Sequence, residues 1–148
     1  MAIRILVAGD QPIFCAGLRS LLEAQPGVEI VAEVEGGLGA VEAARAHKPD
    51  VAVTDVSMPG TNCLEAAKRI TAEAPGVKML CLSMHSAPRF MEAALRSGAH
   101  GYLPRQCTLV DLSSPIQAVL EGQIYVSPDL ADAVLEGYRA ERSERSAL

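Results

Sequence analysis

Residues 51–60 read Val51-Ala52-Val53-Thr54-Asp55-Val56-Ser57-Met58-Pro59-Gly60, an apolar run that reaches one carboxylate and then breaks into a Met-Pro-Gly turn. A continuous rather than alternating apolar run is typical of a strand buried on both faces of a parallel sheet, and the Pro-Gly pair ends such a strand. Asp55 is therefore predicted at the carboxyl end of a central strand, the edge at which open α/β sheets bind ligands. The alternative is that Asp55 only caps the turn that follows it.

The composition indicates a globular chain with an aliphatic core. Of 148 residues, 49% are hydrophobic, yet only 3% are aromatic and none is tryptophan. The net charge of −5 provides no basic surface, so this segment is not expected to hold DNA by itself. The cysteines form no C-x-x-C pair, which argues against a zinc site and a thioredoxin-like motif. Since neither a signal peptide nor an apolar run of spanning length is present, we expect a cytoplasmic protein without a membrane partner.

Strand and helix patterns alternate along the chain. In chain order, the predicted strands are 3–8, 28–34, 51–55, 77–83 and 99–103. Because right-handed crossovers place helices on both faces of such a sheet, the pattern predicts an α/β fold. We expect a doubly wound five-stranded parallel sheet of order 2-1-3-4-5, the flavodoxin-like (βα)5 three-layer sandwich.

Two local features bear on the helices. The cluster Gly36-Gly37-Leu38-Gly39 precedes an alanine-rich helix that ends near His47. Glu42 stands where a dinucleotide-binding loop needs its third glycine, and the cluster follows the second strand, so it is interpreted as a flexible turn. Pro115 lies inside the fifth helical pattern, where it predicts a kink or a late helix start.

Polar side chains follow the predicted strands where the strands end. They are Asp10, Asp55, Ser83 and Arg105. Two neighbouring carboxylates suit Mg²⁺, which binds through one or two carboxylates plus a phosphate and keeps several waters. The Ser83 hydroxyl and the Arg105 guanidinium are suited to phosphoryl oxygens. The group is therefore interpreted as a site for a phosphoryl group on or near Asp55, since a carboxylate nucleophile can form an aspartyl-phosphate.

Five segments, spread over residues 3–130, carry a more specific pattern. They are Ile5–Pro12, Pro49–Gly60, Leu82–His85, Gly98–Arg105 and Gly122–Pro128. In order and spacing the chain resembles a response-regulator receiver domain, and within that superfamily the NarL/LuxR-type regulators. The resemblance implies that Asp55 accepts a phosphoryl group from a sensor histidine kinase.

The same resemblance assigns roles to the other residues of the site. Asp10 matches an acid that contacts Mg²⁺, and the backbone carbonyl of Ser57 matches a further ligand beside Asp55. Ser83 matches the hydroxyl that moves toward the phosphoryl group, and Tyr102 matches the aromatic residue whose rotamer follows it. Mg²⁺ is thus the implied cofactor.

The chain departs from the family pattern at several positions. Gly9 replaces the first acid of the acidic pair, which removes one negative charge and should weaken Mg²⁺ binding. Arg105 stands where the family has lysine, and its planar fork is not equivalent to a compact ammonium. Cys63 replaces a usual glycine. Proline at position 104 is tolerable only in a strand at the sheet edge, and the predicted strand order places strand five at that edge.

The expected organisation is a receiver domain at residues 1–126, followed at 127–148 by a helix and linker. By the resemblance, this segment leads toward a helix-turn-helix DNA-binding domain that is absent from this chain, and DNA is bound only through that domain. Phosphorylation is expected to bias two conformations of the face formed by helix four, strand five and helix five, and so to alter self-association as a homodimer and regulate transcription.

Two other functions remain open. The first is a degenerate receiver that works without phosphorylation as a dimerisation, partner-binding or ligand-binding module, and Gly9 and Arg105 motivate it. The second is a phosphohydrolase with Asp55 as its nucleophile. Such enzymes commonly place a second acid two residues later, where this chain has Ser57, so an enzyme is not expected.

Overall fold

The computed structural model describes residues 2–9, 11–55, 63–83, 88–104, 112–126 and 132. Within them, strands and helices alternate as predicted. The elements are β1 (Ile3–Ala8), α1 (Pro12–Glu23), β2 (Val28–Val34), α2 (Gly36–His47), β3 (Val51–Asp55), α3 (Cys63–Glu73), β4 (Lys78–Ser83), α4 (Pro88–Arg96), β5 (Gly101–Pro104), α5 (Ser113–Leu120) and β6 (Tyr125–Val126). All strand pairs are parallel, and the order β2-β1-β3-β4-β5-β6 confirms the doubly wound α/β fold.

The sheet separates two apolar layers of different character. On one face, strand residues such as Leu6 and Ala52 pack with α2, α3 and α4, whose buried positions are rich in alanine. On the other face, Ile5 and Val53 pack with the larger aliphatic side chains of α1 and α5. Alternate residues of each strand serve opposite faces, so the central strands are buried on both sides and read as continuous apolar runs.

The sheet has a sixth strand that the sequence pattern did not predict. Tyr125 and Val126 of β6 pair with Gly101 and Tyr102 of β5. The expectation that β5 lies at the edge is therefore wrong. Within the described residues, the pairing of β5 with β6 ends at Tyr102, two residues before Pro104. The missing N–H of Pro104 therefore costs no hydrogen bond to β6.

Several element ends differ from the expectations for physical reasons. Gly36, with φ of 76°, begins α2, so the glycine cluster forms the first turn of a helix and its interpretation as a flexible turn is wrong. β5 starts late because the Ala99 N–H donates to the Ala94 carbonyl at 3.0 Å and so closes α4. The late start predicted for α5 is confirmed, since Pro115 is the third residue of that helix, where an N–H has no intrahelical partner.

The C-terminal prediction falls largely outside the described part of the chain. Of the helix and linker expected at 127–148, the structure describes Asp132 alone. Among the residues it does describe, no helix combines the length and the apolar character needed to cross a membrane.

Candidate functional site

The carboxyl ends of three adjacent strands form the candidate site. Asp55 is the last residue of the central strand β3, as predicted, and its neighbours in the sheet are β1 and β4. Ser83 ends β4, and Gly9 directly follows β1. Asp55 and Ser83 are each 1% exposed. The sequence-based prediction that Asp55 and Ser83 lie at one edge of the sheet is borne out by these positions.

The ends of β3 and β4 are fastened together just below the site. The Thr54 hydroxyl donates to the Cys81 Sγ at 3.6 Å, and both residues are fully buried. On the other side, the Gly9 N–H donates to the Val34 carbonyl at 3.1 Å and continues the pairing of β1 with β2. These bonds hold the backbone around Asp55 in the strand arrangement, because a buried backbone group cannot exchange its partner for water.

Gly9 faces Asp55 directly. A Cβ atom at position 9 would lie 3.4 Å from the Asp55 Cβ and 3.9 Å from the Asp55 Oδ2. An acid at this position would therefore set a second carboxylate against the first. Because the chain has glycine here, position 9 adds neither an oxygen ligand nor a like charge beside Asp55.

Cys15 is a residue of this site that the sequence did not single out. Its Sγ would lie 2.9 Å from a Cβ at position 9, so the thiol sits in the space that a side chain there would use. Cys15 is on the buried face of α1 together with Leu18 and Leu22. The helical spacing of these residues was the available signal, but the contact with Gly9 depends on how α1 crosses the sheet.

Tyr102 lies in the layer that α3 and α4 cover, and it is fully buried there. It pairs in register with Cys81, two residues before Ser83. Ser83 is buried at the end of β4, at the edge that carries Asp55. The two residues proposed to respond to a phosphoryl group thus lie on adjacent strands, two positions apart in register.

The remaining predicted residues of the site, Asp10, Ser57 and Arg105, lie outside the described residues, so their roles stay predictions. Within the described ranges, no three His, Cys, Asp or Glu side chains come together as a metal-binding group. What the structure shows of the donor set fits Mg²⁺, since Asp55 offers carboxylate oxygens at an edge where Asp10 directly follows Gly9.

A cavity of about 520 Å³ lies at the opposite edge of the sheet, before the first residues of β3 and β4. Its lining includes Arg45, Lys48, Asp50 and Glu73, which precede β3 and β4 rather than follow them. In a doubly wound fold the ligand-binding crevice lies outside the carboxyl ends of the strands, so we assign the site to the edge that carries Asp55.

Fold and site together define a receiver domain. A model of the response regulator receiver domain matches residues 5–117, well over half of the chain. The chain belongs to this family, and its relatives place it with the NarL/LuxR-type response regulators of two-component systems.

Individual relatives agree with this assignment. The chain is 33% identical over 129 residues to the response regulator UvrY of Escherichia coli K12, covering 87% of this chain and 59% of UvrY. It is 32% identical over 137 residues to the transcriptional regulatory protein DegU of Brevibacillus brevis, covering 93% and 58% of the two chains. The chain thus spans about three fifths of the length of these relatives.

Solved structures show the same fold. A LuxR-family two-component response regulator from Aurantimonas sp. SI85-9A1 superposes with a TM-score of 0.88 and 32% identity, covering 93% of this chain and 99% of that one. The receiver domain of the response regulator NarL from Mycobacterium tuberculosis gives a TM-score of 0.71 and 31% identity, with coverages of 81% and 94%.

Proposed function

We propose that Asp55 accepts a phosphoryl group from the phosphohistidine of a sensor kinase. The observation that carries this proposal is the position of Asp55, buried at the carboxyl end of β3 between β1 and β4. In the transfer, a carboxylate oxygen of Asp55 forms a bond to phosphorus while the bond from phosphorus to the imidazole nitrogen breaks. The imidazole leaves with the electron pair of that bond and is then neutral or takes a proton from solvent.

Mg²⁺ is the cofactor that we propose for this site. Asp10, Asp55 and the backbone carbonyl of Ser57 would hold it, and when bound it supplies positive charge to the oxygens of the transferred group. Since position 9 contributes no carboxylate, we expect a weaker Mg²⁺ site than an acidic pair would give. Arg105 supplies a second positive charge to the phosphoryl oxygens in this proposal.

The proposed response begins at Ser83. Its hydroxyl donates a hydrogen bond to a phosphoryl oxygen on Asp55, and Tyr102 on the neighbouring strand follows this movement. The pair supports such coupling because both side chains are buried on adjacent strands, and a close-packed interior admits discrete rather than continuous rearrangements. The output would be a change in self-association as a homodimer.

We propose that residues 1–126 are the receiver unit and that residues 127–148 lead to a DNA-binding domain in a longer regulator of transcription. The name of DegU, a transcriptional regulatory protein, supports the proposed role in transcription. Response regulators are typically cytoplasmic, and we propose the same location, without a membrane partner and without a separate enzymatic activity.

The test is covalent phosphorylation followed by intact mass measurement. The purified chain is incubated with acetyl phosphate and Mg²⁺, alongside Asp55→Asn and Asp50→Asn variants. Asp50 is a matched control, since it is an exposed aspartate directly before the first residue of β3, and its Oδ2 accepts the Arg4 N–H at 2.9 Å, a bond that an asparagine oxygen can keep. We expect one phosphoryl adduct on wild type and on Asp50→Asn, and none on Asp55→Asn.

An equal adduct on Asp55→Asn would refute Asp55 as the acceptor. No adduct on wild type, with an adduct restored by Gly9→Asp together with Arg105→Lys, would show that the domain signals without phosphorylation, and dimerisation and partner binding would then be measured directly. Light scattering of the phosphorylated and untreated protein then measures whether the adduct changes self-association.

A further inference from the structure

We propose that Cys15 decides whether position 9 can carry a carboxylate that binds Mg²⁺ together with Asp55. Its thiol occupies the space that a side chain at position 9 would need, so Gly9 and Cys15 form a matched pair. This inference rests on the proposed function of Asp55. It goes beyond the expectation that the missing acid at position 9 weakens the site, because restoring the acid alone would not restore Mg²⁺ binding.

The geometry around Gly9 carries the inference. A Cβ atom at position 9 would be 2.9 Å from the Cys15 Sγ, a separation that real Cβ atoms essentially never show. The same point is 3.4 Å from the Asp55 Cβ, which is ordinary van der Waals contact. A Cβ atom at position 9 therefore fits beside Asp55 but clashes with the Cys15 thiol, so either the thiol or the side chain at position 9 must be displaced.

The surroundings of Cys15 restrict how its thiol can move. Cys15 is 4% exposed and belongs to the core layer that includes Leu18 and Leu22 of the same helix. Its N–H donates to the Gln11 carbonyl at 3.0 Å in the first turn of α1, so its backbone is fixed. The side chain can then only change between staggered rotamers, each of which has a fixed direction.

A cavity next to the thiol decides what a substitution at position 9 would do. About 280 Å³ of space is lined by Gly9, Pro12, Cys15, Glu33, Val34 and Glu35. A displaced Cys15 side chain, or a displaced side chain at position 9, can enter this space. Gly9→Asp alone is therefore expected to fold, but with its carboxylate held away from Asp55 for as long as the thiol stays in place.

The pair can be tested by measuring Mg²⁺ affinity with isothermal titration calorimetry on wild type, Gly9→Asp, Cys15→Ala and the double variant. Residues in contact commonly show interaction energies that correspond to a few-fold to about 100-fold in an equilibrium constant. We expect the double variant to bind Mg²⁺ roughly tenfold more tightly than Gly9→Asp, and Cys15→Ala to bind within about twofold of wild type, since that change adds no ligand.

Cys15→Ser provides the matched control. Serine keeps a side-chain atom at the γ position, in the space that a side chain at position 9 would need. Combined with Gly9→Asp, it should give no gain in Mg²⁺ affinity over Gly9→Asp alone. A gain equal to that from Cys15→Ala would overturn the role of the space that the thiol fills.

The other outcomes separate this inference from the proposed function. Gly9→Asp binding Mg²⁺ as tightly as the double variant would overturn the role of Cys15 and leave phosphorylation of Asp55 intact. Failure of every variant to bind Mg²⁺ would overturn both. If Gly9→Asp does not fold, the melting temperatures of Gly9→Ala with and without Cys15→Ala replace the titration. The inference requires Gly9→Ala to lower the melting temperature less in the Cys15→Ala background than in wild type, and an equal loss overturns it.

Discussion

A methyl group at Gly101 would test the packing of the unexpected sixth strand. A Cβ on Gly101 would overlap the Leu80 Cδ1, and it would lie 3.3 Å from the Val119 Cγ1 and 3.4 Å from the Tyr125 carbonyl oxygen. Leu80 and Val119 are fully buried, so neither can give way without a cost, whereas 3.4 Å to the Tyr125 oxygen is an ordinary van der Waals contact. Alanine is therefore expected to overpack the core where β4 and α5 meet the open face of Gly101.

The expected loss for Gly101→Ala follows from two opposing effects. Overpacking a filled core costs about 1–3 kcal/mol of the free energy of unfolding. The reduced entropy of the unfolded chain returns about 0.4–1 kcal/mol. The net loss is therefore about 1–2 kcal/mol, which for a chain of this length lowers the melting temperature by about 3–8 °C.

Gly17→Ala is the control for this prediction. Gly17 lies in α1, and a Cβ there would meet no heavy atom within 4 Å, so alanine should raise stability by up to about 1 kcal/mol. The two variants are compared by urea unfolding, and amide hydrogen exchange is followed at Tyr125, whose N–H donates to the His100 carbonyl at 2.9 Å. Exchange should accelerate in Gly101→Ala. Equal stability of the two variants with unchanged exchange would refute the packing of β6 against Gly101.

Two further predictions concern pH and the core. Burial, and secondly the charge of Lys78, lower the pKa of His100 from its ordinary value of 6.5, and the Met79 N–H donates to its Nδ1 at 3.2 Å. Because the pKa of His100 is lower in the folded than in the unfolded chain, the neutral imidazole contributes stability above pH 6.5, and this contribution is lost as the pH falls toward the folded pKa. His100→Gln should therefore make the free energy of unfolding, measured in urea, depend less on pH across this acid range. An unchanged pH dependence would contradict this prediction. In α1, Leu22→Ala should lower the free energy of unfolding by about 2–5 kcal/mol, because Leu22 is 1% exposed. Leu21→Ala should lower it by under about 1 kcal/mol, because Leu21 is 43% exposed. Equal urea midpoints for the two variants would contradict this.

The central part of the fold was readable from the sequence. The predicted bounds of β1, β2 and β3 agree with the structure, because central strands of a parallel sheet are continuous apolar runs and turns rich in glycine, proline and aspartate separate them from helices. The same reasoning placed Asp55 and Ser83 at the carboxyl edge, since the end of each strand follows directly from where its apolar run stops.

Features that depend on tertiary contacts were not readable. β6 has two residues, too few for any periodicity, and it forms by pairing with Gly101 and Tyr102 of β5. His100 takes part in the sheet through its side chain, which accepts a backbone N–H from β4. The contact between Gly9 and Cys15 is local in sequence, but it depends on the angle at which α1 packs on β1 and β3. No pattern of residue types encodes that angle.

The sixth strand also changes how a signal from Asp55 would leave the domain. Tyr102 is paired with Cys81 on one side and with Val126 on the other, and Val126 packs against the same buried layer as the tyrosine ring. A fully buried aromatic side chain in a close-packed layer cannot change its rotamer unless a neighbour moves. Any movement of Tyr102 that follows Ser83 must therefore be accommodated at β4, α4 or β6. Only β6 is both short and at the edge of the described sheet, so it has the fewest contacts to lose. Because the chain continues from Val126 directly into residues 127–148, a movement of β6 would be passed on to the segment that we propose as the linker.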